Sequence, residues 1–316
     1  MEFIHKPVLL EEAISSLRVA PEGVYIDGTI GGAGHATEIL KGLGPEGILL
    51  GLDQDESAIN ASGKRLRELN SPAKFILKNI NFCNMKEACQ EENIDFVNGI
   101  LLDIGVSSHQ LDEGDRGFSY MKNAPLDMRM NRTDNIDAGL IVNQYKKEDL
   151  RDIINNYGEE RWAARIAEFI VKARATKPIE TTWELVDIIK AAIPEGARRN
   201  GPHPAKRTFQ ALRIAVNNEL GVLNKAIEQG LELLKAGGRF CIITFHSLED
   251  RIVKKAFNMQ VRPCTCPGKF PVCICGKKPT ARLVVKKPII PSGVEIENNP
   301  RARSAKLRVL EKISIK

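Results

Sequence analysis

The chain has 316 residues, of which 43% are hydrophobic and 27% are charged, and its net charge is +6. These values exclude a mostly disordered chain, a collagen and a coiled-coil rod. No run approaches the ~18 consecutive apolar residues of a transmembrane helix, and the first ten residues lack the apolar stretch of a signal peptide. We therefore expect a cytoplasmic protein of about two domains that has no membrane partner.

Short apolar runs alternate with helical patterns over the first hundred residues. The predicted strands cover residues 24–27, 47–53, 75–77 and 96–103. The predicted helices cover residues 35–41 and 56–69. Strands that alternate with helices pair in parallel, and continuous apolar runs are typical of strands that are covered on both faces. This part of the chain therefore predicts an α/β fold with a mostly parallel sheet.

Helical periodicity replaces this alternation near residue 110. Helices are predicted at residues 147–155, 161–175 and 182–192, the last with a threonine cap at Thr182. A helical stretch at 209–234 follows, and then strands at 239–245 and 307–310. We therefore predict one discontinuous α/β domain, residues 1–109 and 206–316. An α-helical insertion at 110–205 interrupts it and is expected to recognise the substrate.

A glycine-rich turn, Asp27–His35, lies between the first predicted strand and a helix. Glycine lets the backbone approach a ligand closely, because it has no side chain in the way. Gly31, Gly32 and Gly34 are therefore candidate cofactor contacts. A tight turn without any ligand would show the same residues.

Three aspartates end predicted strands: Asp27, Asp53 and Asp103. They should share the carboxyl edge of the parallel sheet, where open α/β sheets bind ligands. An acid at the position of Asp53 accepts hydrogen bonds from ribose hydroxyls, which leaves NAD and S-adenosylmethionine as candidate cofactors. Asp27 would repel a pyrophosphate, whereas carboxylates suit a sulfonium and an amino group. An NAD-dependent oxidoreductase stays the alternative, and each aspartate alone could be a cap or turn residue.

Long motifs then run through nearly the whole chain. They are His5–Leu10, Tyr25–Thr29, Gly31–His35, Gly51–Asp53, Gly99–Ser108, Gln110–Asp112, Arg116–Tyr120, Pro125–Met130, Arg207–Leu220, Ile243–Arg251 and Ser304–Arg308. With these motifs the sequence resembles the bacterial 16S ribosomal RNA cytosine-N4 methyltransferases of the RsmH (MraW) type.

The resemblance implies a class I, Rossmann-like methyltransferase core with a helical insertion. It implies transfer of a methyl group from S-adenosylmethionine to the exocyclic N4 of a cytidine in the decoding centre of the small ribosomal subunit. By motif, the implied cofactor contacts are Ala33, Gly34, His35, Asp53, Phe82, Asp103 and Gln110. Methylation of DNA or protein by the same core remains open.

Three residues are candidate catalytic groups. Asp103 could accept a hydrogen bond from the target amine or from the cofactor. His246 follows the last parallel strand and could accept a proton near neutral pH. The run Ser247–Asp250 could instead form a helix cap and its capping box. Asn217 shares a helical face with Arg213 and could hold the target strand.

Residues 277–308 contain nine basic and only two acidic residues, an excess larger than the net charge of the chain. A clustered positive face attracts polyanions, although a solvated surface without a partner would look the same. The predicted contacts to the substrate RNA are Arg129, Arg213, Lys306 and Arg308, because phosphate contacts position a strand. A non-catalytic RNA-binding or ribosome-assembly protein is the second alternative.

Four of the seven cysteines lie within twelve residues: Cys264, Cys266, Cys273 and Cys275. Four thiolates can hold a tetrahedral zinc ion. Their C-x-C spacing is tighter than the usual C-x(2–4)-C, so unliganded or redox-labile thiols are the alternative to a structural zinc site. The other three cysteines lie in predicted core segments and are expected to be reduced.

Overall fold

The computed structural model describes residues 7–106, 114–199, 201–267 and 273–314. The chain forms two compact units, one of Met1–Gly105 with Leu220–Lys316 and one of Val106–Glu219. The first contains the sheet, and helices dominate the second. Within the described residues, no helix is both long and apolar enough to cross a membrane.

The first unit is built on a seven-stranded sheet with the order β3-β2-β1-β4-β5-β7-β6. In chain order the strands are β1 (Val24–Asp27), β2 (Ile48–Asp53), β3 (Lys74–Asn79), β4 (Val97–Asp103), β5 (Leu234–Thr244), β6 (Ala281–Leu283) and β7 (Lys306–Lys312). Neighbours among β1 to β5 pair in parallel, whereas β7 pairs antiparallel with both β5 and β6. The prediction of a mostly parallel class I core is confirmed.

The helices are numbered through both units. They are α1 (Leu10–Leu17), α2 (Gly34–Gly42), α3 (Glu56–Glu68), α4 (Met85–Glu91), α5 (Ala138–Gln144), α6 (Lys147–Gly158), α7 (Ala163–Arg174), α8 (Thr182–Ala192), α9 (Glu195–Arg198), α10 (Lys206–Asn217), α11 (Glu219–Leu233), α12 (Ser247–Val261) and α13 (Gly293–Asn298). The helical stretch predicted at 209–234 is two helices, because Asn218 adopts a left-handed conformation with φ 45°. Asparagine tolerates that conformation better than most residues.

Alternate residues of each central strand enter two different hydrophobic clusters, one on each face of the sheet. Leu102 and Phe240 belong to one cluster, while their neighbours Leu101 and Cys241 belong to the other. Successive side chains of a strand point to opposite faces, so both faces of this sheet are covered. This burial explains why the strands read as continuous apolar runs.

The second unit has its own apolar core. The helices predicted at 147–155, 161–175 and 182–192 correspond to α6, α7 and α8. The predicted end of the insertion at residue 205 differs from the observed unit, which extends through α10 to Glu219. Phe209 and Leu212 of α10 enter the same buried cluster as Leu150 and Ile154 of α6, and this shared core places α10 in the second unit.

The helix α8 begins at Thr182 as predicted, but its capping residue is one position earlier. Thr181, not Thr182, is the cap, and its side chain accepts a hydrogen bond from the backbone N–H of Glu184. The Glu184 carboxylate accepts in turn from the backbone of Thr181, which completes a capping box. Thr182 is fully buried instead.

Candidate functional site

The carboxyl ends of β1, β2, β4 and β5 lie at one edge of the sheet, because the strands are parallel. The register pairs Asp27 with Leu101 and Asp103 with Ile243. The three aspartates that the sequence singled out therefore end at the same edge, as predicted. The glycine-rich turn follows β1 there and leads into α2.

Backbone hydrogen bonds to two aspartates shape the glycine-rich turn. Asp27 accepts from the backbone N–H of Thr29 at 3.1 Å, and Asp53 accepts from that of Gly31 at 3.0 Å. Gly31 has φ 46°, a conformation that favours glycine. A Cβ atom added at Gly32 would meet no other atom within 4 Å, so this part of the turn is open to a ligand.

The residues at the start of α2 pack inward. A Cβ atom added at Gly34 would lie 2.1 Å from Pro7 Cγ, so only glycine allows this packing. His35 is buried, and its Nε2 lies 3.1 Å from the carbonyl oxygen of Val8. Burial lowers the pKa of His35 to about 4, so the imidazole is neutral at physiological pH. Its side chain is therefore a fixed structural group and not a proton acceptor.

Asp53 presents a carboxylate whose orientation is fixed by the backbone. Its Oδ2 accepts from Gly31 N, and its Oδ1 accepts from Asp55 N at 2.9 Å. A carboxylate offers about four lone pairs, so Asp53 can accept a further hydrogen bond. Burial raises the pKa of Asp53 to about 6. The residue is thus a preoriented acceptor at the place where a ribose is expected.

Asp103 carries a buried oxygen, Oδ1, that has no hydrogen-bond partner among the described residues. Its other oxygen, Oδ2, lies 4.0 Å from His35 Nδ1, and the whole side chain is 26% exposed. The backbone N–H of Asp103 donates to Thr29 Oγ1 at 2.7 Å, which ties β4 to the turn. An unpaired buried acceptor is costly, so a hydrogen-bond donor brought to this oxygen would stabilise the site.

The edge of the sheet brings several carboxyl groups into a buried environment. Burial raises the pKa of Asp27 to about 7 and that of Asp103 to about 8. Neighbouring charges contribute to these values: the charge of Asp53 acts on Asp27, and the charges of Asp27 and Glu249 act on Asp103. A cation bound here would relieve this repulsion. The residues present therefore fit S-adenosylmethionine, which carries a sulfonium and an ammonium group.

Phe82 lies beside the glycine-rich turn. It follows β3 and begins a short 3₁₀ helix, Phe82–Asn84. A Cβ atom added at Gly28 would lie 3.1 Å from Phe82 Cβ, and the ring packs against the core in a partly buried position. The structure thus brings Phe82 to the candidate cofactor site. Gln110, the remaining implied cofactor contact, lies outside the described residues.

His246 caps α12 through its side chain. The ring accepts a hydrogen bond from the backbone N–H of Glu249, and the Glu249 carboxylate accepts from the backbone N–H groups of Phe245 and His246. The cap predicted at Ser247 with Asp250 is therefore wrong by one residue. His246 Nε2 also lies 3.0 Å from a Glu249 oxygen. These contacts engage the imidazole in the helix start, and a catalytic role for His246 stays a prediction.

A cavity of about 280 Å³ opens at the carboxyl end of β5. Its lining residues are Phe245, His246, Ser247, Ile290, Pro291, Ile296, Arg303, Ser304, Ala305 and Lys306. The Phe245 ring lies 3.7 Å from a Cβ atom added at Gly105, two residues after Asp103. The sequence reasoning did not single out Ile290 or Pro291, because nothing in their local pattern shows that the chain returns to this edge.

Asn217 and Arg129 form hydrogen bonds with backbone atoms of the second unit. The Asn217 amide donates to Met128 O at 2.8 Å and accepts from Met130 N at 2.8 Å. Arg129 forms a two-pronged ion pair with Asp127, with both distances 2.8 Å. Its remaining guanidinium nitrogen donates to the carbonyl oxygens of residues 132 and 134. Contacts of both residues to substrate stay predictions.

The other three predicted RNA contacts also form ion pairs. Arg213 binds both oxygens of Glu219, at 2.7 and 2.9 Å. Asp250 binds Arg308 Nε at 2.6 Å and Lys306 Nζ at 3.3 Å. The Arg308 side chain is 13% exposed and that of Lys306 is 41% exposed. Of this pair, only Lys306 offers a substantial surface to a polyanion.

Comparisons with known proteins agree over the whole chain. A sequence model of the MraW methylase family matches residues 2–313. A relative from Acetivibrio thermocellus, named Ribosomal RNA small subunit methyltransferase H, is 69% identical over 99% of this chain and 100% of its own. Relatives of the same name from Ruminiclostridium cellulolyticum and Clostridioides difficile are 62% and 56% identical, again over 99% of this chain and 100% of theirs. A solved rRNA methylase from Streptococcus thermophilus covers 99% of both chains at 12% identity, but its TM-score of 0.43 is too low to support a conclusion.

Proposed function

Because this chain belongs to the MraW methylase family, we propose that it transfers a methyl group from S-adenosylmethionine to the exocyclic N4 of a cytidine in 16S rRNA, in the decoding centre of the small ribosomal subunit. The relatives' shared name supports small-subunit rRNA as the substrate class. The choice of N4 rests on the motifs described above. The single structural observation that carries the proposal is the unpaired buried oxygen of Asp103 beside the glycine-rich turn.

The residues at the sheet edge would hold the cofactor by complementary chemistry. When bound, S-adenosylmethionine supplies an electrophilic methyl group on a positively charged sulfur. Asp53 would accept hydrogen bonds from the ribose hydroxyls through the lone pairs that Gly31 and Asp55 leave free. Phe82 would pack against the adenine. Asp27 is 2% exposed, so it would act by its charge and by shaping the turn.

Asp103 would prepare the acceptor amine. The lone pair of a cytosine N4 is delocalised into the ring, which makes the amine a poor nucleophile. A hydrogen bond from the amine to the Asp103 carboxylate would favour a tetrahedral nitrogen as positive charge develops, and it would also position the amine for in-line attack. As the N–C bond formed, the methyl–sulfur bond would break, and the Asp103 carboxylate would accept the proton that the amine loses. Only the ionised carboxylate accepts on both oxygens. The positive charge of a bound cofactor would lower the pKa of Asp103 from about 8 and so promote that ionised form.

The cavity at the end of β5 suits an unstacked base. A base must leave its stack to reach an enzyme's reactive group. Phe245 and the Ile290–Pro291 pair offer apolar surface, and Ser247 and Arg303 offer polar groups. We assign this cavity to the target cytidine because Phe245 lies next to Gly105 and hence close to Asp103.

A methyl-transfer assay tests the reaction. The protein is mixed with tritiated S-adenosylmethionine and small ribosomal subunits from cells that lack the enzyme, and the RNA is digested to nucleosides. We expect label in N4-methylcytidine. The Asp103→Asn variant should lose most of this label, while Asp95→Asn, which removes a carboxylate from an exposed surface position, should keep it.

The outcomes separate the parts of the proposal. Label in another methylated nucleoside would overturn the N4 assignment and leave rRNA methylation standing. Full activity of a correctly folded Asp103→Asn protein would overturn the role of Asp103. Cofactor binding without transfer to any RNA would overturn the acceptor class, and DNA and protein would be the next substrates to examine.

The second unit has an aromatic surface that the sequence did not reveal. A cavity of about 350 Å³ is lined by Tyr120, Met121, Trp183, Val186, Asp187, Lys190 and His203. The rings of Tyr120 and His203 are stacked with centroids 4.7 Å apart, and Trp183 is 53% exposed. Exposed aromatic rings beside a cation bind unstacked RNA bases. We therefore propose that the insertion recognises RNA here, in addition to the contacts predicted for Arg129 and Arg213, whose side chains form ion pairs.

RNA binding by variants tests this surface. Loss of one stacking partner costs about 1–3 kcal/mol, roughly a 5- to 150-fold loss in affinity. We expect Trp183→Ala to weaken binding to small subunits within that range, as measured by filter binding. Ile136→Ala, at another exposed apolar position of the second unit, serves as the control. Equal affinity of the two variants would place RNA recognition elsewhere.

A further inference from the structure

Four thiols converge in the loop between α12 and β6. The Sγ atom of Cys273 lies 3.4 Å from that of Cys264, 3.8 Å from that of Cys266 and 3.5 Å from that of Cys275. All four sulfur atoms lie within 4.8 Å of one another. These distances are far longer than the ~2.05 Å of a disulfide bond. The cluster is therefore a set of four thiols.

The spacing of the sulfur atoms matches that of a tetrahedral metal site. Four sulfur ligands at ~2.3 Å from a zinc ion lie ~3.8 Å from one another, by the geometry of a tetrahedron. The three distances from Cys273, 3.4–3.8 Å, are close to this value, and the remaining sulfur pairs lie within 4.8 Å. The backbone N–H of Ile274 also donates to Cys266 Sγ at 3.3 Å, a contact that stabilises negative charge on sulfur. The C-x-C spacing, tighter than usual, thus allows convergence of the ligands.

The surroundings show what a metal would contribute. The cysteines are exposed or half-buried, whereas Cys89 and Cys241 are fully buried in the hydrophobic core. Ile274, between two of the thiols, is 74% exposed. At the base of the loop, Thr280 bonds Gln260 through both its backbone and its hydroxyl. The described part of the loop tip has no apolar packing of its own. A bound metal would therefore hold the tip together in place of a hydrophobic core.

We propose that Cys264, Cys266, Cys273 and Cys275 bind one structural zinc ion in each chain. Thiolate ligands select zinc or iron over hard cations, and a site closed by four cysteines is typical of structural zinc. Four thiolates and Zn²⁺ carry a net charge of −2, and Lys277 and Lys278, two and three residues after Cys275, supply two positive charges in the same loop. The site lies outside the residues assigned to methyl transfer, so either proposal can fail without the other.

Metal binding to the whole protein tests the proposal. Reduced, metal-free protein is titrated with Co²⁺ without oxygen. We expect one equivalent to produce the thiolate-to-cobalt charge-transfer band and the strong visible bands of tetrahedral cobalt, and one equivalent of Zn²⁺ to remove them. In parallel, the metal content of purified protein is measured by mass spectrometry for the wild type, for Cys264→Ser with Cys273→Ser, and for Cys83→Ser. Cys83 is half-buried and outside the cluster, which makes it the control.

One zinc per chain, retained in Cys83→Ser and lost in the double variant, supports the site. Reduced protein that takes up neither cobalt nor zinc overturns it, and this result needs no variant to fold. One metal per two chains overturns binding within a single chain, and bound iron overturns the choice of metal. Two disulfides in protein purified without oxidant overturn a metal role. Removal of zinc from the wild type should make residues 262–280 sensitive to protease while the rest of the chain stays resistant.

Discussion

Three aspartates at one sheet edge occupy three different environments. Asp27 is enclosed and holds the turn, Asp53 is fixed by two backbone amides and keeps free lone pairs, and Asp103 has one buried oxygen without a partner among the described residues. The sequence predicted that the three aspartates lie at one edge of the sheet, but it did not predict these different environments. The difference depends on which backbone N–H groups point at each carboxylate, and that follows from the three-dimensional path of the turn.

Replacement of Asp53 by asparagine should weaken cofactor binding. The two oxygens of Asp53 each accept from a backbone N–H, so the NH₂ group of asparagine would face a donor on one side. Loss of a hydrogen bond to a charged group costs about 1.5–3 kcal/mol, roughly a 10- to 150-fold rise in Kd. Isothermal titration calorimetry with S-adenosylmethionine measures this change, with Asp95→Asn as the control. An unchanged Kd would exclude Asp53 from the cofactor site.

Cofactor binding should release protons near neutral pH. Burial raises the pKa values of Asp53, Asp27 and Asp103 to about 6, 7 and 8, so these groups are partly protonated when the site is empty of cations. A positively charged ligand favours the ionised forms, so its affinity should rise as the pH increases from 6 to 8. Calorimetry at pH 7 in buffers of different ionisation enthalpy should show net proton release. Net proton uptake would contradict this account.

The same shifts fix the sign of the pH dependence of stability. In the unfolded chain these aspartates ionise near pH 4, whereas in the folded protein they keep their protons to higher pH. The folded state therefore binds more protons, and the free energy of unfolding of the cofactor-free protein should fall as the pH rises from about 4 to 8. Saturating cofactor should reduce this fall. Urea unfolding at a series of pH values measures both effects.

At the scale of single helices and strands, some charged groups that were predicted to bind RNA form ion pairs within the fold. Lys306 and Arg308 belong to a basic stretch, and charge patterning alone suggested that both face RNA. In the fold, β7 pairs antiparallel beside β5, and α12 follows β5, so Asp250 of α12 meets both cations. This contact depends on strand order, which no local pattern reveals. The cap of α12 was missed by one residue because histidine is not among the usual capping side chains.

Replacement of Arg308 should affect stability more than RNA binding. Burial alone would raise the pKa of Asp250, yet hydrogen bonds and charge from Arg308 and Lys306 hold it below its usual value. Arg308→Gln leaves Asp250 with only the longer contact to Lys306, so the free energy of unfolding should fall by about 1.5–3 kcal/mol at pH 7. Urea unfolding tests this, with Lys287→Gln at an exposed position as the control. Equal stability of the two variants would show that Arg308 does not stabilise the fold.

At the scale of the whole molecule, much of the first unit was predictable. Its central strands are covered on both faces, so they appear as continuous apolar runs that end in aspartates. The extent of the insertion was not predictable in the same way, because α10 has an amphipathic pattern that suits either unit. Only its packing against α6 decides the assignment. The cavity near Ile290 could not be predicted for a related reason. Its two sides come from segments that are far apart in the sequence.

The basic region should set the salt dependence of RNA binding. Exposed cations within residues 277–308 include Lys277, Lys278, Lys286, Lys287 and Arg303. Each phosphate contact on single-stranded RNA contributes about −0.7 to the slope of log K against log salt. The double variant Lys286→Gln with Lys287→Gln should therefore reduce the slope by roughly 1.4, as measured by filter binding at several salt concentrations. The matched exposed pair Lys254→Gln with Lys255→Gln should leave the slope unchanged if binding is confined to the basic region.

The order of the strands in space has a consequence for how the protein is made. The ribosome synthesises β1 to β4 early, but β5, which pairs with β4, follows only after the complete second unit has emerged. Until then one edge of β4 lacks its partner, and an unpaired apolar edge invites wrong pairing. The second unit has a hydrophobic core of its own, so it can fold before β5 is synthesised. Nascent chains should therefore rely on chaperones longest in the interval between the synthesis of β4 and that of β5.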